Sequence, residues 1–121
     1  MKFNFERLKI WEKAHKLTLE IYRITRDFPK YELYGITSQL RRAIASVSAN
    51  IVEGYSRKGK KEFIQFLYQA RGSLDESIYL IILSKDLGYF TVNGAEKLLK
   101  DASDLMKMLN SFISYLKNKK A

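Results

Sequence analysis

His15 is the only histidine in the chain, and imidazole is the side chain best suited to acid–base work near neutrality and to metal ligation. It stands one turn from Trp11 and Leu19, beside an apolar stripe, and reads as a boundary residue rather than a ligand or half of a catalytic dyad. Some four-helix bundles hold two iron ions through paired Glu-x-x-His motifs, a chemistry not expected of a chain with one histidine. The neighbouring acids Asp75 and Glu76 lack the second acid or base that hydrolysis would need. No glycine-rich phosphate loop of the Walker or dinucleotide type is present. No catalytic, cofactor or metal site is expected, and the chain does not read as an enzyme.

Positive charge is the other chemistry on offer. Against 13 Asp and Glu the chain carries 22 Lys and Arg, a formal charge of +9, which favours acidic partners such as RNA, DNA or anionic lipid. The alternative is a basic surface that serves only solubility. Arg57, Lys58, Lys60 and Lys61 cluster around Gly59, and Lys117, Lys119 and Lys120 gather near the C-terminus. Tyr55 stands beside the first cluster, but most of the aromatic residues follow helical spacing, so core packing is expected of them before base stacking.

A third group is polar but not obviously chemical. Arg42, Ser46, Ala49 and Glu53 recur at helical spacing among the small residues Ala43, Ala45 and Ser48, and Asn50 falls on the apolar stripe itself. A polar residue on such a stripe needs a partner. Hydrogen bonds that fix helix register are the structural reading, and a ligand site is the alternative. Gly72 and Ser73 lie inside a helical pattern and suggest another backbone packed close there.

The elements that position these residues are helices. One proline and six glycines leave few breaks, and apolar residues recur every three or four positions. Leu8 to Phe28 forms the first helix, with Trp11, Ala14, Thr18, Ile21 and Phe28 on one stripe and Ile10, Leu17 and Ile24 on a second; Pro29 ends it. The second runs to Gly54 through Leu33, Ile36, Leu40, Ala43, Val47 and Asn50, with Thr37 as a candidate cap. Gly54 to Gly59 is then the link. The third covers Lys60 to Leu87 and stops at Gly88. The fourth is capped by Thr91 or Asn93 and carries Ala95, Leu98, Ala102, Leu105, Leu109, Phe112 and Leu116. Short links make neighbours antiparallel, so residues 1–121 are expected to form one all-α domain, an antiparallel up-down-up-down four-helix bundle. A helical hairpin that completes its bundle only in a dimer is the alternative.

The absence of cysteine points to a reducing compartment, hence the cytoplasm, and neither a signal peptide nor a membrane span is legible. Ile78 to Leu83 is apolar over more than a full turn, more than one core can cover, so self-association is expected. In such an oligomer Asn50 and Glu53 are expected to be buried and hydrogen-bonded.

Gln39 to Ala43, Ser46, Asn50-Ile51-Val52-Glu53-Gly54, Glu62-Phe63, Phe66-Leu67, Ala70 to Ser73 and Glu76 resemble the four-helix bundle family encoded in intervening sequences of bacterial large-subunit ribosomal RNA genes. Leu8, Trp11, Ala14, Phe28-Pro29, Glu32 and Gly35 fit the same pattern, and the segment from Asn50 to Gly54 is its most specific part. Gly59 departs from it, standing where a serine-like cap is usual. This family is similar to the accessory protein of diversity-generating retroelements, a basic pentamer that binds nucleic acid and a reverse transcriptase. The resemblance thus implies a bundle, a homopentamer, an RNA or DNA partner and a reverse transcriptase or other protein partner. It implies no activity.

In an up-down-up-down bundle both termini and the link between the second and third helices share one end. Ten basic residues (Lys2, Arg7, Lys9, Arg57, Lys58, Lys60, Lys61, Lys117, Lys119 and Lys120) face three acids (Glu6, Glu53 and Glu62) there, giving +7 of the chain's +9. That end is the expected nucleic-acid surface, and an assembly subunit with no nucleic-acid role is the alternative.

Overall fold

The apolar spacing becomes four helices, α1 (Lys9–Thr25), α2 (Ser38–Ser56), α3 (Lys60–Asp86) and α4 (Val92–Asn118), in a computed structural model that describes residues 1–119. No strand occurs among the described residues. α3 and α4 are each 27 residues long, about 40 Å at 1.5 Å per residue.

Side-chain pairs fix the direction of each neighbour. Thr18 reaches the carbonyl of Ile44, while Arg41 reaches Thr25 and Tyr22, so α1 and α2 run in opposite directions. Phe63 meets Phe112, Arg71 meets Asn110 and Lys85 meets Glu96, which makes α3 and α4 antiparallel. Lys13 meets Asp101 and Phe28 meets Phe90, closing the bundle between α1 and α4. The three-residue link after Ser56 turns α2 back into α3.

The core stripes differ in detail from the expected ones. On α1 the buried residues are Ile10, Ala14, Leu17, Ile21 and Thr25, with Trp11 and Ile24 only half-buried. On α4 the stripe passes from Leu109 to Ile113 rather than to Phe112, a four-residue step in place of three. On α2 it runs Leu40, Ala43 and Ile44, Val47, Ile51 and Gly54. Asn50 is therefore not on the core stripe. A helix turns 100° per residue, so the four-residue step from Val47 selects Ile51 and leaves Asn50 half-buried at the side, its Nδ2 donating to the Ser46 carbonyl at 2.8 Å.

The caps also differ. Thr37 is helical and does not cap α2; a 3₁₀ turn (Lys30–Glu32) and a π-helical turn (Leu33–Thr37) precede the helix, and Glu32 accepts from the N–H of Ile36 at 3.3 Å. α1 ends at Thr25, three residues before the expected Phe28, which closes a further turn by donating its N–H to the Thr25 carbonyl. At the other helical corner Gly88 adopts φ +81°, and the N–H groups of Gly88 and Tyr89 bond to the carbonyls of Lys85 and Ser84. This is the Schellman closure that glycine permits. Thr91, not Asn93, caps α4, its Oγ1 accepting from the N–H of Gly94 at 3.0 Å.

Gly54 is not in the link but inside α2, buried where α2 and α3 pack most tightly. A Cβ there would lie 2.7 Å from Phe66 Cβ and 2.9 Å from Phe63 Cδ1. Gly72, in contrast, faces open space, and among the described residues no other backbone packs against it.

Candidate nucleic-acid interface

The link between α2 and α3 is only Arg57, Lys58 and Gly59. Arg57 is held in place: its Nη2 lies 2.8 Å from Glu53 Oε1, and its guanidinium sits 5.1 Å over the Phe66 ring. Lys58 and Lys61 are exposed and form no ion pair among the described residues. Lys60 donates to the backbone carbonyl of Lys119 at 2.6 Å, which ties the start of α3 to the end of α4.

That bond brings the second expected cluster onto the first. Lys117 Nζ lies 5.2 Å over the Tyr68 ring and Lys119 Nζ 5.9 Å over the Tyr115 ring. Lys120 lies outside the described residues. The first turn of α1 joins the same end, where Ile10 shares a shallow groove with Phe112 and Tyr115.

Arg71 belongs to this surface although it was not among the expected residues. It stacks 4.8 Å over Tyr68 and donates to Asn110 Oδ1 at 3.0 Å. Tyr68 thus holds two cations, Arg71 and Lys117, near each other. The signal for Arg71 is present in the sequence: Tyr68 and Arg71 are three apart on α3, a spacing that puts cation and ring on one helix face.

Gly54 to Lys60 spells G-x-x-x-x-G-K, but Lys61 occupies the place of the hydroxyl that a Walker loop requires, and Gly54 lies within a helix. Glu12 stands three residues before His15, a single Glu-x-x-His spacing where a di-iron bundle needs two. His15 stacks on Trp11 at 4.7 Å, and among the described residues no cluster of three or more metal-ligating side chains occurs.

The polar strip of α2 forms a chain of local bonds. Ser46 Oγ donates to the Arg42 carbonyl at 2.9 Å, Asn50 to that of Ser46, and Glu53 pairs with Arg57. Arg42, Ser46 and Ala49 line a shallow groove with Tyr22, Leu33 and Tyr34. Ser73 and Glu76 lie on α3, without a hydrogen bond to that strip among the described residues; the Ser73 carbonyl accepts from buried Ser77 at 2.8 Å.

No described helix is long and apolar enough to cross a membrane. Residues 6–111 match the family described as 23S rRNA-intervening sequence protein. Among solved structures, the chain is similar to a protein of unknown function from the S23 ribosomal protein family of Bacteroides thetaiotaomicron. The TM-score is 0.77 and the identity 23%, over 86% of this chain and 97% of that one. No curated protein matches.

Proposed function

Because this chain belongs to the 23S rRNA-intervening sequence protein family, we propose that it is a non-enzymatic, self-assembling protein of the cytoplasm that binds RNA or DNA through its basic end. The observation that carries this reading is the convergence of Lys58, Lys60, Lys61, Lys117 and Lys119, none in an ion pair among the described residues, where α2 turns into α3 and α4 ends. Like charges brought together with few carboxylates to offset them repel, and a phosphate backbone relieves that repulsion while releasing its own counterions. Such contacts bind without strong sequence preference.

Assembly is supported by a second pair of surfaces. On α3, Asp75, Glu76 and Asp86 are exposed and form no ion pair among the described residues, and Tyr79 and Ile82 between them are 59% and 37% exposed. The groove between α1 and α2 presents Arg41 and Arg42 beside the small Ala45, Ser46 and Ala49. Acidic ridge and basic groove on one chain suit a head-to-tail contact, the kind that forms a ring when its rotation closes. Five subunits is the count implied by the family resemblance.

Binding of fluorescent RNA and DNA, followed from low to high salt, tests the first part. The parent should bind with a steep salt dependence, and replacing Arg57, Lys58, Lys60 and Lys61 with Ala should lower the slope by about 3 to 4. Equal binding by parent and variant at every salt concentration would remove the basic end from consideration. Sedimentation equilibrium at micromolar concentration tests the second part, where a monomer would refute assembly.

A further inference from the structure

Two tyrosines at the basic end differ in what already occupies their rings. Tyr68 is half-buried, with the Arg71 guanidinium at 4.8 Å and the Lys117 ammonium at 5.2 Å over it, so its ring serves to hold cations. Tyr115 is 56% exposed on the last turns of α4. Its ring lies nearly parallel to Phe112, at 18° with centroids 6.1 Å apart, which steadies an aromatic surface that solvent reaches. Among the described residues the one cation over it is Lys119, at 5.9 Å, an exposed side chain that can leave the ring for a phosphate.

Around Tyr115 the surface is shallow and polar, formed by Asn110, Ser111, Ser114, Asn118 and Lys119. Amides and hydroxyls there can donate to and accept from the edge of a base that is not already paired. Lys60 is bonded to the carbonyl of Lys119 at 2.6 Å, which keeps a second ammonium beside the concavity. An exposed ring, hydrogen-bonding groups at its margin and cations a few ångströms away are the components of a stacking site for unpaired bases. A duplex cannot use them, because its base faces are covered by their neighbours.

We infer that Tyr115 is a stacking platform for a base of single-stranded nucleic acid, whose phosphates are held by Lys119 and Lys60. This rests on the basic-end reading above and sharpens it: single strands are the preferred ligand.

The test uses the full chain and four fluorescent probes of equal length: single-stranded RNA, single-stranded DNA, a blunt duplex, and a single strand with abasic sites. Tyr115→Ala should weaken binding of both ordinary single strands by about fivefold or more while leaving the salt slope unchanged, since no charge is removed. Tyr115→Phe, which keeps the ring, should bind within about twofold of the parent. The duplex and the abasic strand should not distinguish parent from Tyr115→Ala. Circular dichroism of both variants, expected to match the parent because the side chain is exposed, separates a lost platform from a lost fold. If the parent binds all probes but Tyr115→Ala weakens none of them, or weakens duplex and single strand alike, the stacking site is refuted and the basic-end reading stands. If the parent binds no probe at all, both fall together.

Discussion

Toward the α1–α2 and α3–α4 connections, five cations stand in ion pairs with carboxylates. Lys13 and Lys97 share Asp101, Lys100 meets Asp104, Lys85 meets Glu96 and Arg23 meets Glu20. Toward the α2–α3 link and the end of α4, Arg57 with Glu53 is the one such pair among the described residues, and the remaining cations lie against aromatic rings or in solvent. Five of the six ion pairs among the described residues thus lie in one half, while the other carries +7 of the chain's +9. Folding alone would favour matching both halves. Each exposed like-charge pair at about 4 Å costs about 1 kcal/mol even in water, and exposed ion pairs are typically worth less than that. The open half is therefore better explained by a partner that supplies the missing anions.

The sharpest way to break this contrast is to remove equal charge from each half. Lys13, Lys85, Lys97 and Lys100 changed together to Ala lower the net charge by four, as does the quadruple change at Arg57, Lys58, Lys60 and Lys61. The latter should weaken nucleic-acid binding on the order of 100-fold at ~0.1 M salt. The former should leave it within about twofold, because charges more than a Debye length of ~10 Å from the ligand are screened. Equal losses in titrations of the two variants would mean that only total charge matters, and the contrast between the ends would have no functional content.

The next effect concerns how the open end is built. Gly54→Ala should destabilise the bundle by about 1–2 kcal/mol in denaturant unfolding, since the clash with Phe63 and Phe66 outweighs the gain in helix propensity. Gly72→Ala, facing open space, should instead stabilise the isolated chain by about 0.5–1 kcal/mol. A destabilised Gly72→Ala in an assembled sample would locate a subunit contact on that face of α3.

These glycines also mark the boundary of what the sequence alone reveals. The four helices and the Gly88 stop follow from periodicity and local chemistry, with α1 ending three residues before its pattern does, and of the two cap candidates Thr91 is the one that bonds. Gly54 was misread as the start of a link because its role depends on Phe63 and Phe66, which only the tertiary packing brings to it. Asn50 and Phe112 were put on stripes where a three-residue and a four-residue step were equally good, and the helix chose Ile51 and Ile113. Thr37 fits a cap by residue type, but the carboxylate that bonds in its place, Glu32, precedes a turn kinked at Gly35 (φ −108°, ψ −117°) that no simple period encodes. At the basic end the lysines are legible from topology and the pairing of Arg71 with Tyr68 from their spacing on α3, whereas the bond from Arg71 to Asn110 on α4 depends on tertiary packing.

The neutral end offers a smaller test in Tyr89, whose hydroxyl donates to Glu32 Oε2 at 2.8 Å and lies 3.3 Å from the Tyr31 hydroxyl. Those bonds, first that with Tyr31 and then that with Glu32, hold the phenol protonated well above its ordinary range. Tyr89→Phe should lower the midpoint of thermal or denaturant unfolding slightly, with nucleic-acid affinity unchanged. A change in affinity would show that the two ends are coupled.

The smallest expected effect is at Asp101, between Lys13 on α1 at 3.4 Å and Lys97 at 3.1 Å. Partial burial works to raise its pKa, but the hydrogen bond from Lys97 and the charges of Lys13 and Lys97 outweigh it and leave the carboxyl below its ordinary range. A carboxyl whose pKa is lower in the folded than in the unfolded state adds stability above its unfolded value and loses it as the pH falls through the folded one. Asp101→Asn should therefore cost about 0.5–1 kcal/mol near pH 7, and the difference from the parent should vanish as the pH drops from about 5 to about 2. Denaturant unfolding across that range measures it. The same variant raises the net charge by one, yet its charge lies in the neutralised half, so nucleic-acid affinity and its salt slope should match those of the parent. A pH-independent cost would mean that Asp101 acts through packing rather than charge, and tighter nucleic-acid binding would show that the ligand reaches into the half of the bundle where cations are already paired.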